Sequence, residues 1–347
     1  MPDVVIFSDP HVGLRRTANT TPASSARLRE AINEQLADII GRPAEFRICG
    51  GDWFDTFSNE EGVIASTYPL IKEMDLVLAG NHDLVNIKGK MGSLGLLKEM
   101  LGNTDAIPIN DVGESNGFLH TYGNHLFFSV PHCSTQELFD KAVDATAKGS
   151  DVYNKEGHKK YLLLHCNYNS NFSDGRQTDL NLTRAKAAEL VDHFDYIILG
   201  HEHNPYEDFQ GKLIVLGNIH PTSFSDITDK RIMTIGDDGV KFVPVWKKSK
   251  GYQEINWQDL EESYPHQFIK ITGTAKAENL RDIMKAAKTI EKNSPNLFAL
   301  KMDVEIEGLA KMQESCAEDK SQTIVDKVEQ SLESTPELLE LWKEFAK

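Results

Sequence analysis

The sequence predicts a layered α/β domain followed by a second, smaller α/β unit. Two observations carry this. Short apolar runs bounded by Gly, Asp or Asn alternate with stretches of helical periodicity up to about Trp257, and the pattern then restarts after a polar stretch. A third observation points to function: residues able to bind metals stand just after the apolar runs, where the carboxyl ends of strands open a ligand crevice.

In chain order, the strand-like runs are Val4–Phe7, Phe46–Cys49, Leu76–Ala79, Leu126–Phe128, Tyr161–Leu164, Tyr196–Leu199 and Leu213–Leu216. Between the first two, Leu28, Ala31, Ile32, Leu36 and Ile39 recur at helical spacing, which predicts a crossover helix with one buried face. From Lys247 to Pro265 the composition turns polar and reads as a linker. Phe268–Ile271 is then strand-like, Leu280, Ile283, Met284, Ala287 and Ile290 mark an amphipathic helix, and Leu300, Met302 and Val304 alternate as a second strand. Past Asp319, Thr335-Pro336 is an N-cap and first turn for a final helix whose stripe is Leu338, Leu341, Trp342 and Phe345. The domains expected are residues 1–257, 262–312 and 319–347.

With 347 residues, 40% hydrophobic and 26% charged, the chain can bury a large core, so disorder is excluded. Its net charge of −16 means that any polyanion must be met by local basic groups or metal ions, which argues against a passive nucleic-acid coat. No apolar run approaches the roughly 20 residues of a membrane span, and no signal-peptide core follows Met1, so a cytoplasmic protein is expected. Four scattered cysteines without CxxC spacing fit reduced, buried thiols.

Five islands carry the chemistry: Asp9-Pro10-His11, Gly51-Asp52-Trp53-Phe54-Asp55, Gly80-Asn81-His82-Asp83, His165, and Gly200-His201-Glu202-His203. Singly, each has an ordinary explanation, since Asp after a strand usually caps a helix and a lone His usually sits in a core. Together, all at strand ends, they form a metal site. Mixed oxygen and imidazole donors suit Mn²⁺, Fe²⁺ or Zn²⁺. Seven ligands are too many for one ion and divide into two sites about 3.5–4 Å apart that share a carboxylate, the arrangement that clamps both oxygens in phosphoryl transfer. Glycines before Asp52, Asn81 and His201 are expected to let the backbone turn and approach the metals.

These islands resemble those of the calcineurin-like metallophosphoesterases, whose pattern is D-x-H, G-D, G-N-H-[DE], H and G-H-x-H, over roughly residues 4–220. The resemblance implies a metallophosphoesterase sandwich with a small capping domain and C-terminal helices. By it, Asp9, His11, Asp52 and His203 hold one metal; Asp52, Asn81, His165 and His201 hold the other; and His82 is the proton donor, oriented by Asp55 or Asp83. The chemistry implied is in-line attack on phosphorus by a hydroxide activated between the ions.

Phosphoprotein phosphatases of the superfamily usually continue G-D-x-x-D with Arg-Gly and use G-N-H-E, whereas this chain has Thr56-Phe57 and Asp83. With Gly217-Asn218-Ile219-His220-Pro221-Thr222-Ser223-Phe224, it is similar to the DNA-repair branch, the nuclease subunit of the SbcCD complex, in its compact phage and bacterial forms. That implies a Mn²⁺-dependent DNA exonuclease and endonuclease, dimeric within a heterotetramer, working beside an SMC-like coiled-coil ATPase that the tail stripe would bind. Candidate DNA contacts are Arg15, Arg16, Lys88, Lys90 and Arg176, each also readable as a solvated surface charge, while His132 and His220 read as core or loop residues. The alternatives are a stand-alone phosphatase or phosphodiesterase for small molecules or phosphoproteins, and a scaffold that keeps the fold without the activity.

Overall fold

A computed structural model describes residues 3–15, 18–85, 90–102, 109–110, 117–153, 157–170, 180–307 and Leu332. The chain divides into two units, Met1–Tyr252 with His266–Phe268, and Gln253–Pro265 with Ile269–Lys347.

In the first unit the strands run β1 (Val4–Phe7), β2 (Phe46–Cys49), β3 (Leu76–Leu78), β4 (Ile109–Asn110), β5 (Phe118–Tyr122), β6 (His125–Val130), β7 (Lys159–His165), β8 (Asn167–Tyr168), β9 (Asn181–Leu182), β10 (Tyr196–Gly200), β11 (Tyr206–Asp208), β12 (Leu213–Val215), β13 (Lys230–Gly236) and β14 (Gly239–Trp246). The helices are α1 (Pro22–Ile40), α2 (Glu61–Ile71), α3 (Ser93–Leu101), α4 (Gln136–Ser150) and α5 (Arg184–Leu190), with a short α6 (Lys248–Gly251). Two six-stranded sheets result, ordered β14-β13-β1-β2-β3-β4 and β11-β12-β10-β7-β6-β5. All seven predicted runs are strands of these sheets. Strands β1 to β4 of one sheet and β6, β7, β10 and β12 of the other are parallel, while β13 and β14 in the first and β11 and β5 in the second pair antiparallel.

Side-chain parity explains the layering. In β1, Val4 and Ile6 join the core between the sheets with Ile48, Leu78, Leu163, Ile198 and Ile214, while Val5 and Phe7 face the helical layer with Leu36, Ile39 and Ile71. β7 and β10 behave alike: Leu163 and Ile198 point between the sheets, and Leu162, Leu164, Ile197 and Leu199 point to Phe139, Val143, Ala187 and Leu190 of α4 and α5. A strand buried on both faces is a continuous apolar run, which is how these strands appear in the sequence. α1 starts as expected from a capping box, with Thr21 and Ser24 exchanging hydrogen bonds around Pro22.

In the second unit, β15 (Tyr252–Asn256), β16 (Phe268–Ala275) and β17 (Ala299–Ile306) form a sheet in that order, and α7 (Leu280–Asn293) packs Ala287 and Ile290 with Ile269, Ile271 and Leu300. The expected linker from Lys247 to Pro265 is corrected here. It contains α6 and the edge strand β15, where only Ile255 is buried, too few apolar positions to show a period of two. The tail stripe Leu338, Leu341, Trp342 and Phe345, and Arg16, Lys88 and Arg176, lie outside the described residues. Among the described residues, no helix is long and apolar enough to cross a membrane.

Candidate metal centre

The carboxyl ends of five parallel strands deliver the five islands: β1 leads to Asp9 and His11, β2 to Asp52 and Asp55, β3 to Asn81, His82 and Asp83, β7 ends on His165, and β10 leads to His201 and His203. The two sheets are joined at this end, where the His132 amide donates to the Ala79 carbonyl (3.0 Å) and the His165 ring to the Gly50 carbonyl (2.9 Å). Asp9, His11, Asp52, Asp55, Asp83 and His165 are all buried.

Among the described residues, three groups of side chains have potential ligand atoms mutually within 4.8 Å: Asp9, His11 and His203; Asp52, His165 and His201; and His11, Asp55 and His82. His11 Nε2 faces His203 Nε2 at 2.9 Å and Asp52 Oδ2 at 3.9 Å. The same Asp52 oxygen is 3.3 Å from His165 Nε2, so it stands between the first two groups. Asn81 Oδ1 is 3.2 Å from His165 Nε2 and 2.8 Å from His201 Nδ1. Because a carbonyl can only accept, His165 carries a proton on Nδ1 toward Gly50, which leaves Nε2 as the nitrogen aimed at two oxygens. Acceptors that converge in this way need a cation or a proton among them.

Charge gives the same answer. Around the site Asp9, Asp52, Asp55, Asp83 and Asp226 are buried carboxylates, and Lys230 is the buried ammonium beside them. Carboxylates outnumber the cationic side chains there, an excess of buried acidic groups that divalent ions would offset. Burial opposes charge on both His165 and Asp52. Even so, Asp52 lifts the His165 imidazole to about 9, and His165 in turn holds the Asp52 carboxyl well below its ordinary range. Burial and the neighbouring Asp52 raise Asp83 to about 7, and burial, then His165, lowers His201 to about 3.

The backbone is bent to make this convergence. Asp9 (φ 54°), His11 (47°), Asp52 (49°) and His201 (89°) all adopt left-handed conformations that non-glycine residues avoid, the kind of strain stored at functional sites. The expectation that the glycines turn the chain toward the metals is thereby revised, because much of the turning falls on the ligand residues. A Cβ on Gly51 would lie 2.1 Å from His165 Nδ1, and one on Gly80 the same distance from Asp52 Oδ1. These glycines make room for ligand side chains.

His82 is half-buried. Its amide donates to Asp52 Oδ1 (2.9 Å) and its ring Nδ1 meets the Asp55 backbone carbonyl. Burial disfavours its protonation, but Asp52 and the Asp55 carbonyl outweigh burial and raise its pKa. The Asp55 carboxylate accepts from the Arg15 amide (3.0 Å) and lies 3.6 Å from His11 Nδ1. The Asp83 carboxylate accepts from the amides of Gly80, Trp53 and Phe54 at 3.0–3.3 Å, clamping the loops that follow β2 and β3. Arg15 also donates its guanidinium to the Ser58 carbonyl (2.9 Å), and Lys90 is exposed.

A match to the calcineurin-like phosphoesterase family model spans residues 2–205, more than half of the chain. The chain belongs to this family. Members of the calcineurin-like phosphoesterases bind two divalent metals, and the clusters described above are the donors available for them. The chain is similar to the DNA double-strand break repair protein Mre11 of Methanococcus maripaludis, 25% identical over 236 residues, which cover 65% of this chain and 59% of that protein. It thus spans less than two thirds of the curated relative's length. Among solved structures it is similar to a protein described as a 5′-nucleotidase from Staphylococcus aureus (13% identity, 70% of this chain and 54% of that one, TM-score 0.35). It is also similar to a conserved phosphoesterase-type protein from Streptococcus pneumoniae (12%, 70% and 96%, TM-score 0.25).

Reading from the sequence missed Asp226 and Lys230. Asp226, two residues past the Gly217–Phe224 stretch, is buried and accepts from His203 Nδ1 (3.2 Å), while Lys230 Nζ donates to the His203 carbonyl (2.9 Å). A signal for Asp226 was present in the Ser-x-x-Asp spacing from Ser223, which forms a capping box. His132 and His220 are buried as expected, the first on the His165 carbonyl (3.2 Å) and the second beside Trp246 and Phe268.

Proposed function

We propose that this chain is a dinuclear-metal phosphodiesterase acting on DNA, the nuclease subunit of a repair complex with a coiled-coil ATPase. The observation that carries this reading is Asp52 standing between two imidazole-bearing clusters at the strand ends. Similarity to the Mre11 repair protein and the G-D-x-x-D-T-F and G-N-H-D islands support DNA as the substrate.

In this reading Asp9, His11, Asp52 and His203 hold one ion, and Asp52, Asn81, His165 and His201 hold the other, with Asp52 shared; Mn²⁺ is the expected metal. When bound, the two cations polarise the phosphoryl oxygens and lower the pKa of the attacking water. The residues of the chain do the rest. Asp55, through its carbonyl, fixes the His82 ring with its proton on Nδ1, so Nε2 is the nitrogen that serves the departing oxygen. Asp52 and the Asp55 carbonyl raise the pKa of His82 against the cost of burial, which favours the protonated form that can donate. Asp83 holds the loops rigid beneath it. The acidic chain repels DNA by itself, so basic surface on the ATPase partner would supply much of the binding.

The test is degradation of linear duplex DNA with Mn²⁺, with and without a coiled-coil ATPase partner. His82→Ala should lower the rate by roughly 10²–10⁴-fold while both metals stay bound. Wild-type protein that leaves DNA intact under both conditions would end this reading.

A further inference from the structure

The imidazoles of the centre do not share one kind of support. His165 leans on a backbone carbonyl, whereas His203 leans on a buried carboxylate that has its own dedicated cradle. Asp226 Oδ2 accepts from His203 Nδ1 (3.2 Å), Asn218 Nδ2 (2.7 Å), and the Thr222 amide and hydroxyl (3.0 Å each), while Oδ1 accepts from the Ser223 amide (2.7 Å) and hydroxyl (3.0 Å). Every partner is a donor, so the group is held as an immobile anion. Lys230, buried, pins the other end of the same residue by donating to the His203 carbonyl (2.9 Å) and to Thr228 Oγ1 (3.2 Å).

We infer that Asp226, backed by Lys230, is a positioning residue for the Asp9–His11–His203 metal subsite: it fixes the His203 proton on Nδ1 and aims Nε2 at the cation. This inference rests on the dinuclear reading above. A carboxylate behind a ligating imidazole sets its tautomer and increases its basicity, and losing it typically weakens metal binding about 10–100-fold. The Asp52–His165–His201 subsite has no contact with Asp226 among those described, so the effect should fall on one ion of the two.

The experiment is Mn²⁺ titration by calorimetry, with electron paramagnetic resonance of the loaded protein, on wild type and Asp226→Asn. Expected are two ions with a spin-coupled signal in wild type. Asp226→Asn should hold one ion at wild-type affinity, bind the second about 10–100-fold more weakly and show a mononuclear six-line spectrum. Asp226→Asn that binds both ions as wild type does, or weakens both equally, overturns the inference. Wild type that binds fewer than two ions instead overturns the dinuclear reading. If Asp226→Asn does not fold, nitrogen-15 spectra of the metal-free wild-type histidines decide: an Nδ1-protonated His203 supports the inference and an Nε2-protonated one overturns it.

Discussion

At the level of single residues, the centre is built from groups whose charge and backbone angles are each unfavourable alone. Four candidate ligands occupy left-handed backbone, and such strain costs on the order of 1–3 kcal/mol apiece, so the surrounding packing has to hold them. Gly51 shows how tight this is. Its φ of +122° and the 2.1 Å approach of a Cβ to His165 leave no room for a methyl group. Gly51→Ala should displace the His165 ring and weaken binding of the ion assigned to the Asp52 and His165 group by at least tenfold. Calorimetric Mn²⁺ titration against wild type checks this, and unchanged affinity would show that the ring moves freely. The five islands were legible because Asp, His and Asn cluster after apolar runs. Asp226 was hidden because its role depends on His203, 23 residues earlier, folding back to meet it.

At the level of elements, short hydrogen-bonded ties join segments that are distant in the chain. Arg184, the first residue of α5, pairs with Asp208 at the end of β11 through two contacts of 3.0 Å, and the Tyr168 hydroxyl of β8 donates to the same carboxylate (2.6 Å). These bonds, Arg184 first and Tyr168 second, hold the Asp208 carboxyl well below its ordinary range. A depressed folded-state pKa gives stability that is present above the unfolded value of about 4 and is lost as pH falls through the lower folded value. Asp208→Asn should therefore lower the melting temperature at pH 7, and the gap to wild type should close between about pH 4 and strongly acidic conditions. Solvent screening limits the effect to under about 1 kcal/mol, because Arg184 and Asp208 are 58% and 27% exposed. Thermal melts across that range test the sign; a gap that widens in acid contradicts it. The parallel central strands were readable as unbroken apolar runs. β13 was not, since its largely buried run carries Lys230, Arg231 and Thr234 among the apolar residues, and neither were β14 and β15, whose mostly part-exposed residues mix polar and apolar types.

For the molecule as a whole, the dominant quantity is unbalanced negative charge, −16 over the chain with five carboxylates buried near one end of the sheets. A cation that binds only the folded state should stabilise it, by about 2.7 kcal/mol at a hundred times its dissociation constant. Mn²⁺ should accordingly raise the melting temperature and chelator should reverse the rise, whereas Na⁺ at equal ionic strength should not reproduce it. A melt indifferent to Mn²⁺ would mean that the buried carboxylates are compensated otherwise. Taken alone, the sequence determined the α/β class, seven of the twelve strands of the two six-stranded sheets and the identity of the residues that meet at their ends. These follow from local chemistry: the apolar period, the breakers, and the donor types clustered after each run. Only the tertiary structure decided which Asp52 oxygen lies between the two clusters, that His82 rests on the carbonyl of Asp55 while Asp83 grips amides, and that Asp226 and Lys230 hold His203. Those facts depend on ångström-scale approach between segments up to 192 residues apart, as in the His11–His203 contact, and no pattern local to the chain encodes such distances.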